Sequence, residues 1–194
     1  MPRAFRAVRA PVTRSVTACF IDIASFTRAS EAADGPARIA TDLGRCLRRF
    51  DAEIAHHGGF VDKYLGDGLL ALFGLDDGDG RSEAVAAVRA CIAACSGADA
   101  PRLAGRMVSL RAGLAWGVAR VGALHGGPRL HFTAVGDVVN VAARLEQLNR
   151  ALGSRVLAAA EVAAAVPGEG WIDHGEQSLR GRERRVRVFE LTVG

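Results

Sequence analysis

The sequence predicts an α/β fold of the α+β type: a ferredoxin-like split βαβ sandwich, with a mixed, mainly antiparallel sheet and helices packed on one face. Short apolar runs rich in β-forming residues alternate with segments whose apolar residues recur every three or four positions. Residues 60–65 and 69–73 flank Gly66, Asp67 and Gly68, a pattern typical of a tight β-hairpin. The 194 residues contain no internal repeat or low-complexity linker, so we expect one domain.

The N-terminal half is predicted to run from a strand through a helix and a hairpin to a second helix. We expect residues 1–12 to form a short lead and residues 13–194 to form the domain. Pro36 suits the first turn of a helix, and Gly58 suits the residue after its end. The predicted elements are a strand at 15–24, a helix from Pro36 that closes at 56–59, strands at 60–65 and 69–73, and a helix from Ser82.

The C-terminal half is predicted to contain further strands and one long helix. Gly117 divides an apolar stretch into two strands, and Asp137 fits the N-cap of the helix that follows, because Asp is favoured there. The predicted elements are strands at 108–117, 118–124 and 129–135, a helix from Asp137 to Asn149, a strand at 155–157, a helix at 159–166, and strands near Trp171 and at 186–193; residues 97–105 form a loop.

Composition and charge argue against several classes of protein. The net charge of +4 is mild, and the dense basic cluster at residues 180–187 lacks the aromatic or groove-reading elements of a nucleic-acid interface. No apolar run is long and uncharged enough to cross a bilayer, and residues 1–12 lack a signal-peptide core. We therefore expect a cytoplasmic protein with neither a membrane span nor a nucleic-acid partner. The four cysteines form no Cys-x-x-Cys pair and are predicted to be reduced core residues.

Two carboxylates are candidates for a metal site. Asp22 ends an otherwise apolar strand, and Asp67 lies at the tip of a hairpin that the topology can place beside it. A carboxylate in such a strand is costly unless it is paired or bound to a cation. Oxygen ligands without His or Cys select Mg²⁺ or Mn²⁺ over zinc. Two ions held by two carboxylates can activate an attacking oxygen and neutralise a leaving phosphate.

Other residues fit contacts to a phosphorylated ligand. The turn at residues 23–27 offers backbone N–H groups and the hydroxyls of Ser25 and Thr27, although it lacks the Walker pattern. Asn140 and Arg144 are four positions apart in a predicted helix, so they project from one face. Lys63 adds a second cation to Arg144, for a base edge or a phosphate.

Three blocks of the sequence resemble the signature blocks of class III adenylyl and guanylyl cyclases. They are Phe-Ile-Asp-Ile-Ala-Ser-Phe-Thr at 20–27, Val-Asp-Lys-Tyr-Leu-Gly-Asp-Gly-Leu-Leu-Ala-Leu-Phe-Gly at 61–74, and Thr-Ala-Val-Gly-Asp-Val-Val-Asn-Val-Ala-Ala-Arg-Leu-Glu at 133–146. They occur in the family's order and spacing, from about Thr13 to the end of the chain. The resemblance implies a lyase that converts a nucleoside triphosphate to a 3′,5′-cyclic monophosphate and pyrophosphate.

The resemblance also implies catalytic roles for individual residues. Asp22 and Asp67 match the carboxylates that bind two Mg²⁺ or Mn²⁺ ions, with the carbonyl of Ile23 as a further ligand. Asn140 matches the residue that positions the ribose, and Arg144 matches the residue that stabilises the transition state.

Substrate-binding roles follow in the same way. Phe26 and Thr27 lie in the phosphate turn, and Arg111 falls where the family often has a phosphate-contacting arginine. Arg180 and Arg182 are candidates for the terminal phosphate.

The choice of base depends on Lys63 and Thr133. Guanylyl members of the family generally carry Glu at the lysine position, whereas lysine suits the N1 acceptor of adenine. Many members have Asp where this chain has Thr133, and Thr occurs there in a branch that prefers ATP. We therefore expect an adenylate cyclase, with the sharpness of base selection left open because a hydroxyl can donate or accept.

The resemblance implies a head-to-tail homodimer with two shared active sites, each drawing metal ligands from one subunit and base, ribose and arginine contacts from the other. A diguanylate cyclase is the rival enzyme, but its turn carries a second acid and it has no counterpart of Asn140 and Arg144. The rival of another class is an inactive cyclase-like module that binds nucleotide. Such modules normally lose a metal Asp, the lysine or the arginine, and this chain retains all of them.

Overall fold

An eight-stranded sheet forms the centre of the protein. The computed structural model describes residues 11–24, 26–31, 33–76, 78–126 and 129–193, without the side chains of 124–126 and 129–131. In chain order the elements are β1 (Val12–Ile23), α1 (Phe26–Glu31), α2 (Pro36–His56), β2 (Phe60–Leu65), β3 (Gly68–Phe73), α3 (Arg81–Ala94), β4 (Arg102–Leu103), β5 (Arg106–Met107), β6 (Leu110–Gly126), β7 (Arg129–Val135), α4 (Asp137–Leu152), β8 (Val156–Ala159), α5 (Ala160–Ala163), β9 (Trp171–Gln177) and β10 (Val186–Leu191).

The strand order confirms the mixed, mainly antiparallel sheet. It runs β2, β3, β1, β6, β8, β10 and β9, with β7 also paired to β6. β6 and β8 are parallel, and the other strand pairs within the described residues are antiparallel. The central pair, β1 and β6, is in register from Val12 opposite Val121 to Ile23 opposite Leu110. Residues at the end of β1 are therefore fixed against two neighbouring strands.

Helices cover both faces of the sheet, so the prediction that they lie on one face is wrong. Leu69 and Phe73 of β3 pack in the same cluster as Phe50 of α2. Leu70 on the opposite side of β3 packs in a second cluster with Leu145 of α4. The reason is visible in β3, whose apolar residues do not alternate with polar ones, as is typical of a strand buried on both faces.

Most predicted elements are present, with several differences. β6 is one continuous strand, because Gly117 pairs with Val16 and lies beside Val138 of α4, where an added Cβ would be 3.4 Å from the Val138 Cβ. Asp137 is not the N-cap of α4: Gly136 holds that position, and the Asp137 carboxylate pairs with Arg182 at 2.6 Å. The predicted helix at 159–166 is reduced to the four residues of α5, and the sequence did not predict α1 or the β4–β5 hairpin.

Several expectations concern the whole chain. All four cysteines are buried and free, which confirms their place in the core. Burial raises the pKa of the Cys19 thiol to about 12, so the thiolate is suppressed there. None of the described helices has the length and apolar character needed to cross a membrane. The domain boundary at residue 13 and the cytoplasmic location stay predictions, and residues 1–10 lie outside the described part of the chain.

Helix α4 lies against β6 at a glycine. A Cβ added at Gly113 would be 2.2 Å from both the Ala142 carbonyl oxygen and the Glu146 amide nitrogen, so only glycine permits this approach. The buried side chain of Asn149 joins the two elements, since its amide donates to the Ala112 carbonyl at 2.8 Å. The position of α4 on the sheet is therefore set by backbone contact.

We predict that Gly113→Ala lowers the free energy of unfolding by about 1–3 kcal/mol, because the added methyl group forces α4 away from β6. Gly44→Ala is the matched control: it lies inside α2, and its Cβ would be 3.3 Å from the mobile end of Arg48. That control should be neutral or stabilising by up to about 1 kcal/mol. Urea unfolding of both variants measures the difference, and equal stability of Gly113→Ala and the parent protein would contradict the close approach.

Candidate active site

Asp22 and Asp67 are brought together at one end of the sheet. Asp22 of β1 pairs with Gly68 of β3, which directly follows Asp67, and with Arg111 of β6 on its other side. The two loop residues of the hairpin are Gly66, with φ of 66°, and Asp67, so the Asp lies in the turn itself. Gly68 allows β3 to approach β1 closely at this point, since a Cβ there would be 2.7 Å from the Ile21 carbonyl oxygen.

At this end of the sheet three acids, Asp22, Asp67 and Glu146, surround Arg111. Arg111 Nη2 donates to Asp22 Oδ2 at 2.9 Å, and Arg111 Nε lies 3.4 Å from Glu146 Oε1. Burial and the neighbouring Asp22 charge raise the pKa of Asp67, and the same two causes raise the pKa of Glu146. We call Asp22, Asp67, Arg111 and Glu146 the acidic half-site. Because the acidic half-site contains more acids than cations, its net charge is negative and would favour the binding of a cation.

Asn140 and Arg144 lie elsewhere. Both line a cavity of about 190 Å³ between α4 and the segment before β10. Arg180 and Arg182 of that segment line the same cavity. Arg182 is held by Asp137 at the start of α4. We call Asn140, Arg144, Arg180 and Arg182 the basic half-site. The described residues that line its cavity include neither Asp22 nor Asp67.

Lys63 meets Thr133 where β2 approaches β7. The Lys63 ammonium donates to Thr133 Oγ1 at 2.9 Å, and the Thr133 hydroxyl donates to Asp62 Oδ2 at 2.7 Å. Phe60 and Phe132 pack edge to face beside them, with ring centroids 6.0 Å apart. We call Asp62, Lys63 and Thr133 the base triad.

Comparison with known proteins identifies the family of this chain. The family model described as "Adenylate and Guanylate cyclase catalytic domain" matches residues 8–191. The chain belongs to this cyclase family. The match includes all the residues of the two half-sites and the base triad.

Curated relatives share the same region. Adenylate cyclase 1 of Rhizobium meliloti (strain 1021) is 35% identical over 189 residues, covering 94% of this chain and 28% of that protein. The adenylate cyclase of Anabaena cylindrica is 34% identical over 193 residues, covering 95% of this chain and 38% of that protein. This chain thus spans 28% and 38% of the lengths of these two relatives.

A solved structure shows the same fold. The adenylyl cyclase CyaB from P. aeruginosa aligns with a TM-score of 0.77 at 25% identity, covering 95% of this chain and 97% of that chain. The match confirms the fold class predicted from the sequence, because this chain has the architecture of solved cyclase domains.

The acidic half-site fits divalent ions by its chemistry. Its donors would be two carboxylates and the carbonyl of Ile23, all hard oxygen ligands suited to Mg²⁺ or Mn²⁺. The described residues contain no cluster of three or more His, Cys, Asp or Glu that could hold a metal without other ligands. Waters and substrate phosphates would complete the coordination, as is usual for Mg²⁺.

Two residues that contact the predicted site residues were not predicted from the sequence. Glu146 ends the third signature block, and its position four residues after Ala142, on the side of α4 that faces β6, is the signal that could have found it. Asp62 directly precedes Lys63 in an apolar strand, which is an equally costly place for a carboxylate.

The predicted phosphate turn is partly helical. Phe26 and Thr27 begin α1, and Phe26 packs against the core. Ser25 lies outside the described residues.

We predict that Asp67→Asn raises the melting temperature by about 1–4 °C when no divalent ion is present, because it removes one of two like charges that lie close together. Adding Mg²⁺ or Mn²⁺ should stabilise the parent protein and not the variant. Asp173→Asn is the control, since Arg187 lowers the pKa of Asp173 and its loss should not stabilise. Differential scanning calorimetry with and without ions makes the comparison. Equal stabilisation of parent and Asp67→Asn by the ions would contradict the assignment.

Proposed function

We propose that the domain is an adenylate cyclase that converts ATP to 3′,5′-cyclic AMP and pyrophosphate. Family membership supports the reaction class, and the contact between Lys63 and Thr133 supports the choice of ATP. The Lys63 ammonium can donate to N1 of adenine, and the Thr133 hydroxyl can accept from its 6-amino group. Guanine presents a donor at N1, which the Lys63 ammonium, itself only a donor, would oppose.

The acidic half-site would hold two Mg²⁺ or Mn²⁺ ions through Asp22, Asp67 and the Ile23 carbonyl. Bound there, such ions favour ionisation of the ribose 3′-hydroxyl and neutralise the phosphates. Asp22 and Asp67 fix where that charge lies, because the strands β1 and β3 are paired at this point. Arg111 binds Asp22 from the opposite side and keeps its carboxylate from turning away.

The chemical step is an in-line displacement at the α-phosphorus. The 3′-oxygen forms a bond to the α-phosphorus, the bond to the oxygen bridging the α- and β-phosphates breaks, and pyrophosphate leaves with that electron pair. The proton of the 3′-hydroxyl passes to water, since the described residues offer no evident protein base. Asn140 would orient the ribose, and Arg144 would stabilise the charge that develops on the transferred group. Arg180 and Arg182 would hold the terminal phosphate.

The two half-sites also support a homodimer. Asn140 and Arg144 line a cavity whose described lining residues include neither Asp22 nor Asp67, and this supports a site that a second chain completes. We propose that two copies associate head to tail and that each acidic half-site faces the partner's base triad and basic half-site. Such a dimer has two equivalent sites by symmetry.

The rival functions make different products. An inactive nucleotide-binding module would make none, a guanylyl cyclase would make cyclic GMP, and a diguanylate cyclase would make cyclic dimeric GMP. Retention of Lys63, Arg144 and both aspartates favours an active enzyme with ATP as substrate.

We predict cyclic AMP from ATP and at least about tenfold less cyclic GMP from GTP when the purified protein is incubated with either nucleotide and Mn²⁺. Arg144→Ala should lower kcat at least about 100-fold, because it removes charge stabilisation from the transition state. Arg150→Ala is the control, because Arg150 is an exposed arginine on the same helix, and it should change kcat less than about twofold. Chromatography of the products provides the measurement. No cyclic AMP, or cyclic GMP as the main product, would refute the proposal.

A further inference from the structure

Asp62 is a buried carboxylate that the proposed reaction leaves without a role. None of its side chain is exposed, whereas Lys63 beside it is 44% exposed. Its Oδ2 accepts the Thr133 hydroxyl at 2.7 Å and lies 3.3 Å from the Lys63 ammonium. Its Oδ1 is buried and has no hydrogen-bond partner among the described residues. A buried, half-satisfied carboxylate destabilises a fold, so its presence here calls for a function.

A β-bulge brings Asp62 and Lys63 to the same partner. Adjacent residues of a regular strand point to opposite faces, so one of the two would normally face away from Thr133. The pairing of β2 with β3 shifts register between Val61 and Lys63, which face Ala71 and Leu70 respectively. Asp62 is the extra residue of this bulge, and both side chains therefore reach Thr133.

The hydrogen bonds of the base triad determine the polarity of the Thr133 hydroxyl. A lysine ammonium can only donate, so the bond from Lys63 uses a lone pair of Thr133 Oγ1. An ionised carboxylate can only accept, so the bond to Asp62 uses the single hydroxyl proton. One lone pair remains on Thr133, and nothing remains for it to donate.

We infer that Asp62 is a specificity-determining positioning residue: by taking the Thr133 proton, it makes Thr133 an obligate acceptor that selects a 6-aminopurine over a 6-oxopurine. Thr133 then accepts from the 6-amino group of adenine, and the free proton of Lys63 is left for N1. The 6-oxo group of guanine would meet a lone pair. This inference rests on the proposed function, because it assigns the base triad to the nucleobase.

Asp62→Asn tests the inference with little change of shape. An amide can donate to Thr133 as well as accept from it, so the hydroxyl proton becomes free to point at a 6-oxo group. We expect the ratio of ATP to GTP affinity to fall at least about tenfold. The advantage of ATP over purine riboside triphosphate, which lacks the 6-amino group, should fall in parallel. Affinities come from competition against a fluorescent ATP analogue, so the readout does not depend on turnover.

Two further variants separate positioning from general damage. Thr133→Val should lower the same ratio, and Asp62→Asn added to Thr133→Val should lower it no further, because Asp62 acts through the missing hydroxyl. Asp42→Asn is the matched control: its carboxylate is 4% exposed and pairs with Arg38 at 3.3 Å, away from the base triad. It should lower stability and leave the ATP to GTP ratio within about twofold.

The outcomes distinguish this inference from the proposed function. An unchanged ATP to GTP ratio in Asp62→Asn overturns the inference, and so does a further fall of the ratio when Asp62→Asn is added to Thr133→Val. Equal affinity of the parent protein for ATP and GTP also overturns it. If the parent protein binds ATP selectively and makes no cyclic AMP, the proposed function fails while the role of Asp62 stands on the binding ratios.

Discussion

The close approach of α4 to β6 at Gly113 is the contact on which the arrangement of the site depends. Because the helix backbone lies against the strand there, Glu146 is carried to Arg111, one strand away from Asp22. The same helix carries Asn140 and Arg144 on its outer side. Asn149 holds the contact through a buried amide that also accepts from Ser154. One packing interaction thus positions Glu146 beside Arg111, while the same helix carries Asn140 and Arg144 to the cavity before β10.

This separation explains why a single chain is an incomplete catalyst in our account. In the acidic half-site, burial and the neighbouring Asp22 charge raise the pKa of Asp67, a cost that bound cations would relieve. In the basic half-site the half-buried Arg144 donates to Gln147 Oε1 at 3.2 Å, an uncharged amide. Opposite charges held apart on one chain are complementary across a two-fold axis, which is how a head-to-tail dimer would bring them together.

Much of the fold and of the candidate site could be predicted from the sequence. The alternation of apolar runs and helical periods predicted most strands and helices, and the Asp-Gly turn predicted that Asp67 would reach Asp22. Gly117 was misjudged because a glycine in a strand marks a break or a close packing contact, and only α4 decides between them. Asp62 was missed because its orientation depends on a β-bulge, which no local pattern predicts.

The central claim, that Lys63 and Asp67 of one hairpin serve different active sites, is tested most directly by complementation. Lys63→Ala and Asp67→Ala chains are co-expressed with different tags, and the heterodimer is isolated through both. Each variant alone should be inactive, and the heterodimer should form cyclic AMP at about half the parent rate, because one of its two sites contains both residues intact. A heterodimer that is stable but as inactive as the two homodimers would contradict the shared-site account.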